Sequence, residues 1–190
     1  MLAIDLTGRR SLVTGGSRGI GAGVVRVLAQ CGAQVAFTYL GSERGERAAR
    51  QMTEELAASG SRVLPYRASG HDMVAMDRVV AEAAEAMGGL DLVVPNVGMN
   101  WVEPLEVLDL AGWQRGIDIN LTSAFIAVKV ALPWLLKAGR ADIVLIGSSA
   151  AVDGGGGVAS YAAAKAGLDG FMRAMMRELP RKGVHVNAVH

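Results

Sequence analysis

The sequence has little cysteine, few aromatic residues and no dense block of charge of one sign. Its single cysteine, Cys31, excludes an internal disulfide and a cysteine-based metal cluster. Lysine and arginine (19) nearly balance aspartate and glutamate (18), so the charge pattern gives no indication of a nucleic-acid partner. No uninterrupted apolar run approaches membrane-spanning length, and the N-terminus shows no apolar segment of a secretory signal. We therefore expect a cytoplasmic protein with neither a disulfide nor a metal site.

Hydrophobic residues and glycine are what the sequence has in quantity. Hydrophobic residues make up 51% of the 190 positions, and 25 positions are glycine. This length and composition suit one domain, residues 1–190, with a sizeable buried core. Strands rich in valine, isoleucine and leucine, joined by glycine-rich turns, are typical of an α/β protein.

Apolar runs alternate with amphipathic stretches along the whole chain. The predicted strands are residues 10–14, 34–39, 62–67, 90–94, 141–146 and 185–189. The predicted helices are residues 19–30, 43–58, 73–87, 113–137 and 160–179, with a kink or local break at Pro133. Strands that alternate with crossover helices predict right-handed βαβ units. The expected fold is therefore a Rossmann-type, doubly wound parallel sheet in three αβα layers.

The first predicted strand runs into a glycine-rich turn, TGGSRGIG, at residues 14–21. Small residues let the chain turn tightly and let its backbone approach a pyrophosphate at the start of the following helix. A glycine triplet alone is a weak signal, because turns collect glycine for steric reasons. Its place between a strand and a helix is the context that dinucleotide binding requires.

The end of the second predicted strand indicates which dinucleotide is bound. A carboxylate there would hydrogen-bond the adenosine ribose and repel a 2′-phosphate. This strand ends at Tyr39 without an acidic residue, while Arg18 in the glycine turn could pair with a 2′-phosphate. Arg44 is a weaker candidate, and a solvated Arg18 without a ligand is the alternative interpretation. The sequence favours NADP(H), with NAD(H) as the alternative.

Tyr161 and Lys165 lie four residues apart in a predicted helix, so their phenol and ammonium groups project from one face. A free phenol has a pKa of about 10. A nearby cation stabilises the phenolate, which suits proton exchange near neutral pH. Such a pair is commonplace on helix surfaces when it stands alone. Here Ser148 ends the preceding strand region, where its hydroxyl could donate to a substrate oxygen, and Ser149 is the alternative.

Taken together, these motifs resemble the short-chain dehydrogenase/reductase family, and its 3-oxoacyl-ACP-reductase-like members in particular. The T-G-x-x-x-G-x-G spacing, the serine and the Y-x-x-x-K element carry the resemblance. Asn96 and Gly98 match the family's N-N-A-G segment, from which Pro95 and Val97 depart. That segment holds the central sheet and lines the cofactor cleft in the family, so the resemblance gives Asn96 either a structural or a ligand-binding role. Asn120, in the segment DINL, resembles the family's helical asparagine. The resemblance covers essentially the whole chain.

The resemblance implies hydride transfer between a nicotinamide dinucleotide and a carbonyl or secondary alcohol. In the family pattern, Tyr161 exchanges the proton, Ser148 polarises the oxygen, and Asn120 supports a water relay to Lys165. Ser69 stands where the family often has an aspartate that contacts the adenine. The cofactor-binding residues are expected in the glycine turn, at strand ends and in the catalytic helix: Gly15, Ser17, Arg18, Gly19, Ile20, Gly21, Thr38, Asn96, Gly98, Tyr161 and Lys165.

The resemblance also predicts features beyond the catalytic residues. The loops at residues 99–102 and 152–158 are expected to line a pocket for a ketone or a 3-oxoacyl thioester. The helices at residues 113–137 and 160–179 are expected to pack between subunits of a homodimer or homotetramer. The family's C-terminal strand and substrate-covering segment are absent from residues 1–190. Either the chain is truncated or a longer protein continues, and we favour the longer protein because an open cleft and exposed sheet edge would compromise activity and solubility.

Two other functions remain as alternatives. A non-catalytic nucleotide-binding or scaffold protein would keep the fold without turnover, but the intact set of Ser148, Tyr161 and Lys165 argues against it. A Rossmann-like methyltransferase gives no reason for the tyrosine–lysine pair. The three histidines lack the spacing of metal ligands and are expected to have surface or strand roles: His71, His185 and His190.

Overall fold

A computed structural model of the chain describes residues 4–190. Its six strands are β1 (Arg10–Val13), β2 (Gln34–Tyr39), β3 (Val63–Arg67), β4 (Leu92–Val94), β5 (Ala141–Ile146) and β6 (Val184–Val189). They form one parallel sheet in the order β3-β2-β1-β4-β5-β6. The order reverses between β1 and β4, which opens a crevice at the carboxyl ends of these strands. The predicted Rossmann-type, doubly wound fold is confirmed.

Seven α-helices are described along the sheet. They are α1 (Gly19–Gln30), α2 (Glu43–Ala58), α3 (Met73–Met87), α4 (Leu110–Ile117), α5 (Ser123–Leu135), α6 (Ala150–Asp153) and α7 (Ala159–Glu178). A π-helical turn, Asp118–Thr122, joins α4 to α5, and a 3-10 turn, Pro180–Lys182, precedes β6. The crossover helices leave each strand at its carboxyl end, where the loops of the site therefore gather.

Two hydrophobic cores hold the helices against the sheet. On one face, Val25 of α1 and Met52 of α2 pack with Phe37 of β2. On the other face, α3, α5 and α7 cover the sheet, with Met76 among the buried residues around Ile143 of β5. Each large apolar side chain buried in this way contributes about 1.5–3 kcal/mol. The two cores together fix the strand ends that carry the site.

The long helix predicted at residues 113–137 differs from the one observed. Of the kink or local break predicted at Pro133, the break is wrong, because α5 continues through Pro133 to Leu135, and the kink stays a prediction. A proline this close to the end of the helix removes one hydrogen bond and leaves the remaining turn intact. The irregular turn begins at Asp118 instead. There the Asn120 side chain takes the Gly116 carbonyl that its own backbone N–H would use in a regular helix.

One helical stretch, Leu110–Leu135, is long and apolar enough to cross a membrane by length and composition alone. Half of its most apolar window is buried inside the protein. Ala127 and Ala131 of α5, for example, are fully buried in the core beside the sheet. This burial is typical of the core helix of a globular domain.

Candidate active site

The glycine turn is held in place by hydrogen bonds from both neighbouring strands. From β2, Thr38 accepts the Gly15 N–H at its Oγ1 (3.1 Å) and the Gly16 N–H at its carbonyl (2.8 Å). From the end of β4, Nδ2 of Asn96 donates to the carbonyls of Thr14 (3.0 Å) and Gly15 (3.3 Å). The turn is therefore fixed before any ligand binds.

Backbone packing explains why this turn needs glycine. Gly15 has φ +66°, in the left-handed region that favours glycine. A side chain at Gly21 would collide with the Gly15 carbonyl and with Nδ2 of Asn96. The first N–H groups of α1 have no side-chain cap, since Arg18 at the N-cap makes no such bond. Small residues and uncapped N–H groups at a helix start fit the pyrophosphate of a dinucleotide.

A cleft of about 560 Å³ extends from the glycine turn to Tyr161, along the carboxyl ends of the strands. This volume is of the size that binds small molecules and cofactors. Three cationic residues line the cleft, Arg18, Arg44 and Lys165, and within residues 4–190 no lining residue carries a carboxylate. A cleft of this charge attracts the phosphates of a dinucleotide.

Most of the predicted cofactor-binding residues line this cleft. They are Gly15, Ser17, Arg18, Gly19, Ile20, Thr38, Asn96, Gly98, Tyr161 and Lys165. Gly21, Asn120 and Ser148 are not among the lining residues within the described chain. Asn120 flanks Gly98, which does line the cleft, and Ser148 directly follows Gly147, which also lines it.

Sequence reasoning missed several residues that line the cleft. Arg44 was foreseen as a weaker candidate and Asn100 as part of the loop at residues 99–102, but Leu40, His71 and Ile119 carried no motif. His71 is exposed and also places its Nδ1 3.2 Å from Oγ of Ser69. The available signal was positional, because Leu40 and His71 follow the ends of β2 and β3, where the crevice of such a sheet lies.

Tyr161 and Lys165 project from the same face of α7. The Lys165 Nζ lies 5.7 Å from the centre of the Tyr161 ring and donates to the Ile146 carbonyl (2.7 Å). Only 4% of Lys165 is exposed. This burial lowers the pKa of the Lys165 ammonium from its ordinary value. A buried cation beside a phenol is the arrangement that the tyrosine–lysine motif predicted.

Asn120 is buried within the π turn. An asparagine in the middle of a helix is ordinarily exposed to solvent. Its Nδ2 donates to the carbonyls of Gly116 (3.0 Å) and Met99 (2.9 Å), and its Oδ1 accepts the Met99 N–H (2.9 Å). A Cβ at Gly98 would lie 3.0 Å from Asn120 Oδ1 and 3.5 Å from Lys165 Nζ. Asn120 therefore holds the loop after β4 close to the lysine.

Ser148 follows β5, and its hydroxyl is available as a donor. Its Oγ accepts the Ala150 N–H (3.2 Å), and within the described chain no acceptor takes its proton. Ser148 is half-buried, whereas Ser149 is exposed and stands at the start of α6. These surroundings favour Ser148 over Ser149 as the serine of the site.

The two loops expected to line the substrate pocket contact each other. A Cβ at Gly157 would lie 2.8 Å from the Val102 side chain, and Glu103, directly after the first loop, donates its N–H to the Gly157 carbonyl (2.7 Å). Glu103 also accepts from Nε1 of Trp101 (3.0 Å), and the Arg115 guanidinium lies 4.8 Å over the Trp101 ring. Met99 lines the cleft, while residues 152–158 are not among its lining residues. A pocket formed by both loops stays a prediction.

Comparison with known proteins places this chain in a family. A family model described as short chain dehydrogenase matches residues 9–190. The 3-oxoacyl-[acyl-carrier-protein] reductase of Synechocystis sp. is 35% identical over 184 residues, which are 97% of this chain and 73% of that protein.

Solved structures show the same similarity in three dimensions. A dehydrogenase/reductase from Sinorhizobium meliloti 1021 gives a TM-score of 0.92 at 35% identity, over 99% of this chain and 73% of that one. A short chain dehydrogenase from Burkholderia cenocepacia J2315, in complex with NADP, gives a TM-score of 0.89 at 37% identity. That match covers 97% of this chain and 74% of the other.

Proposed function

This chain belongs to the short chain dehydrogenase family, and we propose that it transfers hydride between NADP(H) and a carbonyl or secondary alcohol of ketone or 3-oxoacyl type. Membership of the family makes it an NAD(P)-dependent oxidoreductase; the cofactor preference, substrate and residue roles are the proposal. One observation carries it. A single cleft is lined at one end by the glycine turn and at the other by Tyr161 and Lys165.

The roles of the side chains follow from their places in the site. A bound nicotinamide dinucleotide supplies the hydride in reduction and accepts it in oxidation. Tyr161 gives its phenolic proton to the carbonyl oxygen, and the Lys165 ammonium, 5.7 Å from the ring centre, stabilises the phenolate that remains. Ser148 donates its free hydroxyl proton to the same oxygen as charge builds there. Oxidation reverses each of these steps.

Lys165 and Asn120 have further roles in this proposal. Lys165 also binds the ribose hydroxyls of the nicotinamide half, since its ammonium is a donor that lines the cleft beside Tyr161. Asn120 supports the water relay that returns a proton to Lys165. Its Oδ1 and the Lys165 Nζ flank Gly98 from two sides, which supports this assignment.

The charge of the cleft supports NADP(H) over NAD(H). Arg18 and Arg44 are exposed and line the cleft near the end of β2, and no described residue of the cleft lining is acidic. A guanidinium pairs readily with a 2′-phosphate, which an acidic residue at this place would repel. The substrate class is supported by the relative that is a 3-oxoacyl-[acyl-carrier-protein] reductase.

We also propose a cytoplasmic homodimer or homotetramer that packs through α4, α5 and α7. Phe125 of α5 is 44% exposed, and its ring centre lies 6.1 Å from that of Phe171 on α7. Gly167 lets α7 approach Leu121, because a Cβ there would lie 2.8 Å from that side chain. An exposed apolar side chain on this surface favours its burial against a second subunit.

The proposal is tested by NADPH oxidation with a panel of ketones and 3-oxoacyl thioesters. We expect Tyr161→Phe to lose activity by about a hundredfold or more, the contribution of a general acid. Tyr66→Phe is the matched control, since it removes a tyrosine hydroxyl from β3 outside the cleft lining. Equal, slow oxidation by the wild-type chain and Tyr161→Phe would instead identify a non-catalytic nucleotide-binding protein.

A further inference from the structure

The side chain of His190, which follows β6, contacts the backbone of Ser148. Its Nδ1 lies 3.2 Å from the Ser148 amide nitrogen and 3.3 Å from the Ser148 carbonyl oxygen. The ring lies against Gly147, where a Cβ would come within 2.6 Å of both Cε1 and Nδ1. The glycine before the serine is therefore what admits the imidazole.

The backbone pairing between β5 and β6 ends one residue before Ser148. The last backbone bond between β5 and β6 runs from the Gly147 N–H to the Val189 carbonyl (2.7 Å). The next donor along the chain is the Ser148 N–H, and the group that meets it is the His190 ring. The histidine thus continues the strand pairing by one residue through a side chain.

The other ring nitrogen of His190 faces Asp169 on α7. Nε2 lies 3.3 Å from Asp169 Oδ1, a buried oxygen that accepts no well-aligned hydrogen bond within the described chain. Asp169 comes one helical turn after Lys165 and two turns after Tyr161, so the three share a face of α7. His190 therefore connects the helix of the tyrosine–lysine pair to the turn that carries Ser148.

The contact with Ser148 distinguishes the two neutral tautomers of His190. A neutral imidazole has one donor nitrogen and one acceptor nitrogen. Because Nδ1 accepts the Ser148 N–H (3.2 Å), a neutral His190 in this contact carries its proton on Nε2, the nitrogen that faces Asp169 Oδ1 (3.3 Å).

We propose that His190 and Asp169 form a positioning pair that sets the distance between Ser148 and Tyr161. The inference rests on the proposed function of those two residues. Neither His190 nor Asp169 touches the reacting atoms; both act through the Ser148 backbone. Misplacement of a catalytic group by about 1 Å can lower turnover on the order of a hundredfold.

Steady-state kinetics test the pair. We expect His190→Ala and Asp169→Ala each to lower kcat by about tenfold to a hundredfold, with the KM for NADPH unchanged. The double variant should be no slower than His190→Ala, because both changes break one connection. His190→Asn keeps an acceptor near the place of Nδ1 and should recover part of kcat. His185→Ala is the matched control, since His185 is exposed on the same strand.

Nuclear magnetic resonance tests the contact without any turnover. The imidazole ¹⁵N signals of His190 should show the proton on Nε2, and Asp169→Ala should shift the Ser148 amide signal while His185→Ala does not. A proton on Nδ1, an unmoved Ser148 signal, or additive losses in the double variant would overturn the pair. A wild-type chain that oxidises no NADPH would refute the proposed function alone, and the spectra would still decide the contact.

Discussion

At the scale of single residues, the site holds charge where burial disfavours it. Lys165 is almost fully buried, and burial lowers the pKa of its ammonium, yet its Nζ faces the Ile146 carbonyl and the Tyr161 ring rather than a carboxylate. An ion pair would stabilise the cation but neutralise its field. Without one, no carboxylate cancels the charge of the ammonium form, which is what the proposed stabilisation of a Tyr161 phenolate needs.

Arg18 is the opposite case, an exposed cation that makes no salt bridge within residues 4–190, so a phosphate that binds it displaces no carboxylate. We expect Arg18→Ala to raise the KM for NADPH about tenfold, or about 1.4 kcal/mol, and to leave the KM for NADH unchanged. Only NADPH carries the 2′-phosphate that accepts the charge-assisted hydrogen bond of Arg18, so only its binding is weakened. Initial rates with each cofactor measure this difference. Arg26→Ala, which removes an arginine of α1 that is paired with Glu55 (3.1 Å), is the control. Equal changes in both KM values would contradict the assignment of Arg18.

At the scale of secondary-structure elements, Asp91 joins the two central strands before either reaches the site. It accepts from the Arg10 backbone N–H (2.9 Å), Nε (2.8 Å) and Nη2 (2.6 Å), which connects β1 to β4. Burial alone would raise the pKa of the Asp91 carboxyl, but the hydrogen bonds from Arg10 outweigh it and hold that pKa below its ordinary value. The ionised form of Asp91 is therefore more stable in the folded chain than in the unfolded chain.

Asp91→Asn should lower the free energy of unfolding by about 2 kcal/mol at pH 7, the range for hydrogen bonds to a charged group. A depressed carboxyl pKa stabilises the fold above the unfolded value of about 3.9, and that stability is lost as pH falls through the folded value. The difference between wild type and variant should therefore shrink below about pH 4. Urea unfolding at several pH values measures it.

Asp142→Asn gives the matched control for Asp91. Asp142 pairs with Arg9 at the same end of the sheet, but its side chain is 29% exposed, against 8% for Asp91. An exposed ion pair contributes less, so the control should lose clearly less stability. Equal losses in the two variants, or a difference that persists in acid, would show that the charge of Asp91 is not what matters.

At the scale of the whole molecule, the surface of α5 and α7 determines the proposed assembly. Phe125→Glu should convert the dimer or tetramer to a monomer, because a buried interface does not tolerate an unpaired charge. Light scattering coupled to size-exclusion chromatography measures the mass. Val27→Glu is the control, since Val27 is exposed (58%) on α1, which covers the other face of the sheet. If the wild-type chain were a monomer, the proposed assembly would not exist. If the Phe125→Glu variant kept the wild-type mass, the interface would lie elsewhere.

The fold was predictable wherever the signals are local. The bounds of α2 and α3 agree with the prediction to the residue, because their N-cap residues, Ser42 and Asp72, accept backbone N–H groups of the first turn. The end of α3 is equally marked by Gly88 in the left-handed conformation. The glycine turn and the tyrosine–lysine pair are also local patterns, and both line the cleft as expected.

The parts that sequence could not predict depend on contacts between distant residues. The π turn depends on Asn120 and its bonds to Met99, 21 residues earlier, and no periodicity of the helix encodes them. The Ser148 backbone N–H contacts the ring of His190, 42 residues later. The sequence predicted only a surface or strand role for that histidine. Only the packed sheet and helices bring such pairs together.

The π turn also determines what deletion of one residue would do to this helix. It contains one residue more per turn than a regular α-helix, which allows Asn120 to reach both Gly116 and Met99. Deletion of one residue there would let an unbroken helix form, with regular bonding but with the following side chains rotated by about 100°. A chain without the extra residue would lose the bonds between Asn120 and Met99 that hold the loop after β4.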